Sequence, residues 1–286
     1  MNPLTGKVAV VTGSTRGFGY AVAAELIRAG AAVIVSGRSQ SSVDQAVASI
    51  GLPGQALGLA CDVSVPEQVY ALGRFAVRQL GTIDIWINNA GYTPPAGGVI
   101  DFPPDEALAT FKTNCLGVLN GTQTAFYYML PRRTGTLVNI YGRGSDLRPS
   151  AASGLYAATK AWVAEFTRTL AQEHKGSGVQ FVAFSPGMML TDMLDIKLVV
   201  GERVQATMRQ MPMVLKALGV PPAVPAAELV KLLAADRKEF VEYRWMRGLR
   251  AMRMIGQLVW MQMNPRSRPA PVEYPLAKAF VPPIGE

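Results

Sequence analysis

The chemistry of this chain is read first from Tyr156 and Lys160. They stand in Tyr156-Ala157-Ala158-Thr159-Lys160, and four residues along a helix return to the same face, so phenol and ammonium approach each other. An unperturbed phenol titrates near ~10, and a neighbouring cation stabilises the phenolate and lowers that value. Such a tyrosine gives a proton to a carbonyl oxygen as hydride arrives, or takes one from an alcohol in the reverse direction. Asn114 falls inside a long helical pattern, residues 105–130, where asparagine is a poor helix former. It reads either as a satisfied buried amide or as the anchor of a water site in a proton relay. A Tyr/Lys pair at this spacing arises by chance in many helices and decides nothing alone.

The second chemical element is the stretch Val8-Ala9-Val10-Val11-Thr12-Gly13-Ser14-Thr15-Arg16-Gly17-Phe18-Gly19. An apolar, β-branched run breaks into a glycine-rich turn, and an alanine-rich helical stretch from Tyr20 to Ala29 follows, stopped by Gly30. A buried strand thus delivers the chain to a helix N-terminus, where unpaired N–H groups and the helix dipole attract an anion. Gly13, Gly17 and Gly19 lack Cβ, which lets the backbone turn sharply and approach a pyrophosphate. The second strand ends Val35-Ser36-Gly37-Arg38-Ser39. An acid here would grip the ribose hydroxyl of NAD. Gly37 leaves space instead, Arg38 offers a guanidinium suited to a phosphate, and Arg16 points toward the same neighbourhood. These features predict NADP(H) as the cofactor. Asp62, in Cys61-Asp62-Val63 after the third strand, is placed to meet the adenine edge. In Asn88-Asn89-Ala90-Gly91 the amides are suited to tie backbone segments together while the glycine lets a cofactor approach.

The elements that must position these residues alternate. Strands are predicted at 7–12, 32–36, 56–61, 83–88, 135–140 and 179–184, with helices beginning near Phe18, Ser42, Pro66, Asp105 and Gly154. The strands are near-continuous apolar runs, as in a parallel sheet covered on both faces. The fold class is therefore α/β: a single Rossmann-like, doubly wound parallel sheet with helices on both faces. Right-handed crossovers bring the motifs to its carboxyl edge. Residues 188–224 read as helical pieces without a clear strand. A helix is expected over 226–235, a short strand near 240–243, a helix over 244–263 and an extended Pro-rich tail beyond. The expected division is 1–243, a nucleotide-binding reductase domain including a lid at 188–224, and 244–286, a basic helix and tail packed on it.

Thr12–Gly19, Asn88–Gly91, Asn114, Tyr156/Lys160 and Ser185-Pro186-Gly187 with Thr191, in this order, resemble the signature set of the short-chain dehydrogenase/reductase family. The glycine spacing G-x-x-x-G-x-G is similar to that family rather than to dehydrogenases with G-x-G-x-x-G. The resemblance covers roughly Lys7 to Asp192. It implies Asn114, Tyr156 and Lys160 as catalytic groups. The cofactor contacts it implies are Gly13, Ser14, Thr15, Arg16, Gly17, Phe18, Gly19, Arg38, Ser39, Asp62, Val63, Asn89, Ala90, Gly91, Tyr156, Lys160, Pro186, Gly187 and Thr191, the last at the nicotinamide carboxamide. It also implies a dimer or tetramer through the helices carrying Asn114 and Tyr156, with Phe126, Tyr127, Tyr128 and Trp162 supplying contact area.

One position departs from the pattern. The family's catalytic serine stands two residues before Ser145, where this chain has Arg143. Ser145 is the candidate replacement, and the Tyr141 hydroxyl is the alternative. The run Gly142-Arg143-Gly144-Ser145-Asp146, with the following motifs, is similar to the chlorophyll(ide) b reductases, which use NADPH to reduce a ring formyl group; an acidic residue tends to stand there in place of Tyr141. The expected function is reduction of an aldehyde or ketone on a bulky apolar substrate. The competing reading, motivated by the missing serine, is a silent NADP-binding regulatory protein.

Composition bounds these readings. Apolar residues make up 49% of the chain and charged ones 17%, enough for a substantial core and against disorder. Cys61 and Cys115 form no C-x-x-C pair and read as reduced core residues, and no metal site is expected. His174 reads as a solvated cation at a helix end. No apolar stretch is long enough to span a bilayer, and the first strand leaves no room for a leader, so a cytoplasmic location is expected. Of the net charge of +8, most lies between Tyr243 and Glu286, where seven basic residues face two acidic ones. A nucleic-acid partner is not expected, because the body is nearly balanced. Eleven of thirteen methionines lie between Met188 and Met263, consistent with an irregular apolar pocket. Trp245, Leu249, Met252 and Val259 fall on one side of the tail helix. The expectation is that this side packs on the body or a neighbouring subunit; docking on an anionic membrane is the alternative.

Overall fold

The computed structural model describes residues 2–50, 54–194 and 198–283; parts of the expected lid (195–197) and tail (284–286) lie outside the described residues. In chain order the strands are β1 Val8–Val11, β2 Ala32–Gly37, β3 Ala56–Ala60, β4 Ile85–Asn88, β5 Ala96–Gly97, β6 Gly135–Ile140, β7 Val179–Ser185, β8 Val199–Val200, β9 Phe240–Arg244 and β10 Leu276–Ala277. The helices are α1 Gly17–Arg28, α2 Gln40–Ile50, α3 Pro66–Leu80, α4 Pro104–Phe111, α5 Gly117–Met129, α6 Gly154–Glu173, α7 Glu202–Met208, α8 Met211–Leu218, α9 Ala223–Ala234 and α10 Gly248–Met263.

Seven strands form one parallel sheet in the order β3-β2-β1-β4-β6-β7-β9. Because successive side chains of a strand point to opposite faces, the apolar runs feed two cores. Ala9, Val11, Val33, Val35, Ile87 and Phe184 pack with α1 and α9 on one face. Val10, Ile34, Trp86, Leu137 and Phe181 pack with α3, α5 and α6 on the other. The chain order reverses direction between β1 and β4, the switch point at whose carboxyl ends open parallel sheets bind ligands.

The region read as strandless holds the two-residue β8, which joins β10 and β5 in a small parallel sheet. The tail is thereby stitched to the segment expected to be a lid, and Arg209 pairs with Glu273 at 3.4 Å. The tail helix starts later than expected. Arg244 belongs to β9, pairing with Ser185, and α10 begins at Gly248. Trp245 thus precedes the helix and is buried, whereas Leu249, Met252 and Val259 are exposed. The side of α10 turned inward carries Met254, Leu258 and Met261, so the packing expected of the other side is corrected. Tertiary contact with α8 selects the face, and a helix apolar on two sides does not announce which one wins.

Candidate active site

The glycine loop is built for close approach. Gly13 and Gly17 have φ of +62° and +59°, a region costly for other residues. A Cβ on Gly13 would lie 2.7 Å from the Ala90 Cα, which brings the turn after β4 directly against the loop. Thr12 and Asn89 lock the two together. The Asn89 and Ala90 N–H groups donate to Thr12 Oγ1 at 3.0 and 3.1 Å, and Asn89 Nδ2 donates to the carbonyls of Thr12 and Gly13 at 2.8 and 3.0 Å. Ser14 is spent on β2: its N–H donates to the Ser36 carbonyl at 2.8 Å, its hydroxyl donates to the Val11 carbonyl at 2.7 Å, and the same oxygen accepts from the Ser36 N–H. The Phe18 ring is buried and stacks on Phe184, centroids 6.0 Å apart, so its side chain belongs to the core. The N-cap residue Arg16 makes no side-chain cap, and the first turn of α1 holds no acid, so its N–H groups are left for an external anion.

Arg16, expected to point toward the neighbourhood of Arg38, is engaged in an ion pair in this structure. Its guanidinium pairs with Asp192 at 3.0 Å, an exposed bridge between the loop and the segment after Thr191. A Cβ on Gly17 would meet the Thr191 methyl at 3.5 Å, so Thr191 stands beside the loop. Gly37 does not leave open space. A Cβ there would fall 2.6 Å from the Thr15 methyl, which fills the place an acidic side chain would leave by. Arg38 and Ser39 are exposed at the end of β2. Asp62 folds a tight turn, its Oδ1 accepting from the Ser64 N–H at 2.9 Å and hydroxyl at 2.7 Å. Val63 is buried, and its carbonyl accepts from Asn120 Nδ2 at 2.9 Å. Pro186 and Gly187 follow β7, where Gly187 takes φ +82° and a Cβ would touch Trp245 at 3.4 Å.

Asn114 lies in a π-helical turn, Lys112–Leu116, inserted between α4 and α5. Such a turn widens the helix and is favoured where a side chain must be aimed. The fully buried amide is completely used: Oδ1 accepts from the Tyr92 N–H at 2.7 Å, and Nδ2 donates to the Tyr92 carbonyl at 2.8 Å and to Thr159 Oγ1 at 3.0 Å. Asn114 therefore ties the segment after Gly91 to the helix carrying Tyr156. Tyr92 itself donates from its hydroxyl to Glu106 Oε1 at 2.7 Å, and burial together with that acid pushes it up to about 12.

Lys160 is buried beneath Tyr156, with Nζ 5.8 Å from the ring centroid and donating to the Ile140 carbonyl at 2.9 Å. Burial pulls the Lys160 ammonium down to about 8 and pushes the Tyr156 phenol up to about 12. The expected lowering of the tyrosine is thus reversed in the free protein. Desolvation sets the direction at Tyr156, and the same burial disfavours the charge on Lys160. The Tyr156 hydroxyl sits over Gly142: a Cβ on Gly142 would lie 2.3 Å from it and 3.2 Å from Lys160 Cγ.

Both hydroxyls offered in place of the missing serine are turned away. Ser145 is buried, and its Oγ donates back to the Gly142 carbonyl at 2.7 Å, closing a turn. Tyr141 is buried in a third cluster, and its hydroxyl donates to the Ala164 carbonyl at 3.1 Å. Arg143, between them, is exposed. The turn is braced from β9, since Arg244, held by Glu242 at 2.8 Å, donates to the Ser145 carbonyl at 3.3 Å. Sequence reasoning gave no site role to Thr12, Gly142 and Thr159, which lie inside the motif stretches, to Tyr92, which follows Gly91, or to Arg244, which nothing local marks. Cys61 and Cys115 are free and buried, and desolvation holds both thiols up at about 12. His174 is not simply solvated; its ring packs edge-on against Phe126 at 4.7 Å.

A parallel, doubly wound sheet with an uncapped helix N-terminus behind a glycine turn defines a Rossmann-like nucleotide-binding fold, and the cradle at Gly13, Gly17 and Ala90 fits a dinucleotide. The chain belongs to the short-chain dehydrogenase family, whose model matches residues 7–197. It is 36% identical to the chloroplastic chlorophyll(ide) b reductase NOL of Arabidopsis thaliana over 79% of this chain and 65% of that protein. It is 33% identical to the probable chlorophyll(ide) b reductase NYC1 of the same plant, over 65% of this chain and 41% of that one. The chain thus spans less than two thirds of these relatives. With the 3-oxoacyl-(acyl-carrier-protein) reductase FabG of Vibrio cholerae it shares 32% identity over 83% of its length and 93% of the relative. A 3-ketoacyl-(acyl-carrier-protein) reductase of Brucella melitensis, solved with NADH, superposes with a TM-score of 0.72 at 25% identity, over 87% of this chain and 99% of that one.

Proposed function

We propose that the protein is an NADPH-dependent reductase of a bulky apolar aldehyde or ketone, of the kind represented by the ring formyl group of a tetrapyrrole. The observation that carries this reading is the Tyr156 hydroxyl, set over Gly142 with the Lys160 ammonium beneath its ring. A phenol held in its acid form is suited to reduction. When bound, the nicotinamide supplies the hydride. Tyr156 gives its proton to the carbonyl oxygen, and the Lys160 ammonium offsets the charge left on the phenolate. Asn114 holds Tyr92 and Thr159, fixing the crevice wall against the helix of Tyr156. Ser145 closes the turn that carries Gly142 and supports the site through the main chain.

Gly13–Gly19, Asn89–Gly91, Pro186, Gly187 and Thr191 are assigned to cofactor binding. The NADP preference rests on the Thr15 methyl filling the space over Gly37 and on Arg38 at the strand end. Substrate bulk is supported by the methionine-rich lid, in which the Met193 methyl lies 3.9 Å from where a Gly91 Cβ would stand. The likeness to chlorophyll(ide) b reductases supports the formyl reading. The test is NADPH oxidation screened over aldehydes and ketones that include formyl-tetrapyrroles. Turnover is expected with a large apolar carbonyl, and Tyr156→Phe should lower it at least ~10²-fold with NADPH binding retained. A Tyr156→Phe variant with near-parental turnover would overturn the assignment.

A further inference from the structure

Helix α10 is apolar on two opposite sides. Its inward side packs on α8, while Leu249, Met252, Ile255, Val259, Trp260 and Met263 stand outward with fractional exposures from 46% at Val259 to 83% at Leu249. At 100° per residue these six side chains fall within one continuous sector, with Gly256 among them. Arg253 and Arg250 lie along one margin. Arg250 is held by Glu228 at 3.2 Å and over the Trp245 ring at 5.2 Å, whereas Arg253 has no ion pair among the described residues. Six large apolar side chains in one exposed stripe are not explained as scattered surface residues.

We infer that this face of α10 lies in the interface of an anionic lipid bilayer, its apolar stripe among the acyl chains and its arginine margin among the headgroups. The charge of the segment selects this occupant. From Tyr243 to Glu286 seven basic residues stand against two acidic ones, which attracts an anionic surface and opposes pairing with an identical tail. The size of the stripe selects it too. A helix of 16 residues is about 24 Å long, and a stripe about 10 Å wide on it covers roughly 240 Å², well under the roughly 800 Å² per partner of a stable protein interface. That area is ordinary for a helix lying in a membrane interface, with a tryptophan at the boundary. Among the described residues no helix is long and apolar enough to cross a membrane, so the contact is with one surface. The inference does not depend on the identity of the substrate.

The experiment uses the full chain with phosphatidylcholine vesicles, with and without phosphatidylglycerol, at low salt. Sedimentation with the phosphatidylglycerol vesicles is expected, with a blue shift in tryptophan emission. Trp86 and Trp245 are already buried and Trp162 stacks on Phe166, so the shift belongs to Trp260 and disappears in Trp260→Phe, which still sediments. Leu249→Glu with Met252→Glu, both at exposed positions, should lower the partition coefficient more than ~10-fold with an unchanged near-ultraviolet dichroism spectrum. Arg253→Glu should weaken binding to the anionic vesicles by several-fold. Failure of the parent protein to sediment, or sedimentation of the double variant equal to the parent's, overturns the inference. So does a parent dimer in sedimentation velocity that the double variant splits, which would assign the stripe to a second copy of the chain.

Discussion

Gly142→Ala isolates the placement of the Tyr156 hydroxyl from everything else in the site. The new methyl carbon would stand 2.3 Å from that hydroxyl, 3.1 Å from the ring carbon bearing it and 3.2 Å from Lys160 Cγ. An ordinary contact needs about 3.4 Å, so the hydroxyl must retreat by about 1 Å. A misplacement of about 1 Å in a reacting group costs on the order of 10²-fold in rate. Gly142 is not among the positive-φ glycines, so alanine brings no backbone strain. Gly144 is the contrast: with φ +97° and a Cβ that would meet the Ala157 carbonyl, its alanine variant should lose stability instead. The assay is steady-state kinetics with NADPH titrated separately by fluorescence. The expected result for Gly142→Ala is a ~10²-fold fall in kcat with cofactor affinity unchanged, and less than ~3-fold further loss when it is added to Tyr156→Phe. Parental kcat in Gly142→Ala, or the same ~10²-fold loss in the Tyr156→Phe background, would falsify the placement argument.

Arg38→Asp should raise the KM for NADPH by ~10–10²-fold and leave that for NADH equal or lower, since it removes a charge-assisted phosphate contact and supplies a ribose acceptor. A parent protein using both cofactors equally well sinks that reasoning. Lys160 holds its proton only to about pH 8, so kcat/KM for reduction should decline above about 8. Stability moves the other way at first: the unfolded chain keeps this proton to about 10.5, binds more protons than the folded one above about 8, and unfolding becomes harder as pH rises. Above about 9 the buried Cys61 and Cys115, whose folded values are raised, reverse that slope. Denaturant melts across this range, paired with the rate profile, check both signs, and a rate still rising beyond pH 9 contradicts the role of the ammonium. A dimer or tetramer is expected by light scattering at micromolar concentration, with Tyr127→Glu at the exposed end of the Tyr127–Tyr128 pair shifting it toward monomer. A monomeric parent removes that expectation.

The nucleotide-binding half was legible because its determinants are local. The valine runs of β1 and β2 have the composition of strands covered on both faces, and a glycine at 13 or 17 is demanded by the turn that its own φ describes. The Tyr156/Lys160 juxtaposition follows from helix geometry alone. Tertiary structure decided where side chains point and what surrounds them. Whether Ser145, Tyr141 or Ser14 offers a free hydroxyl depends on the carbonyls of Gly142, Ala164 and Val11, which folding brings within hydrogen-bond reach. Arg16 meets Asp192 across 176 positions of sequence, and no local pattern encodes that pairing. The direction of the Tyr156 shift was set by burial, a property of the assembled site that helix spacing does not carry. The same holds for α10. Its period shows that it is amphipathic, but packing against α8 chose which apolar side enters the protein and left the other in solvent.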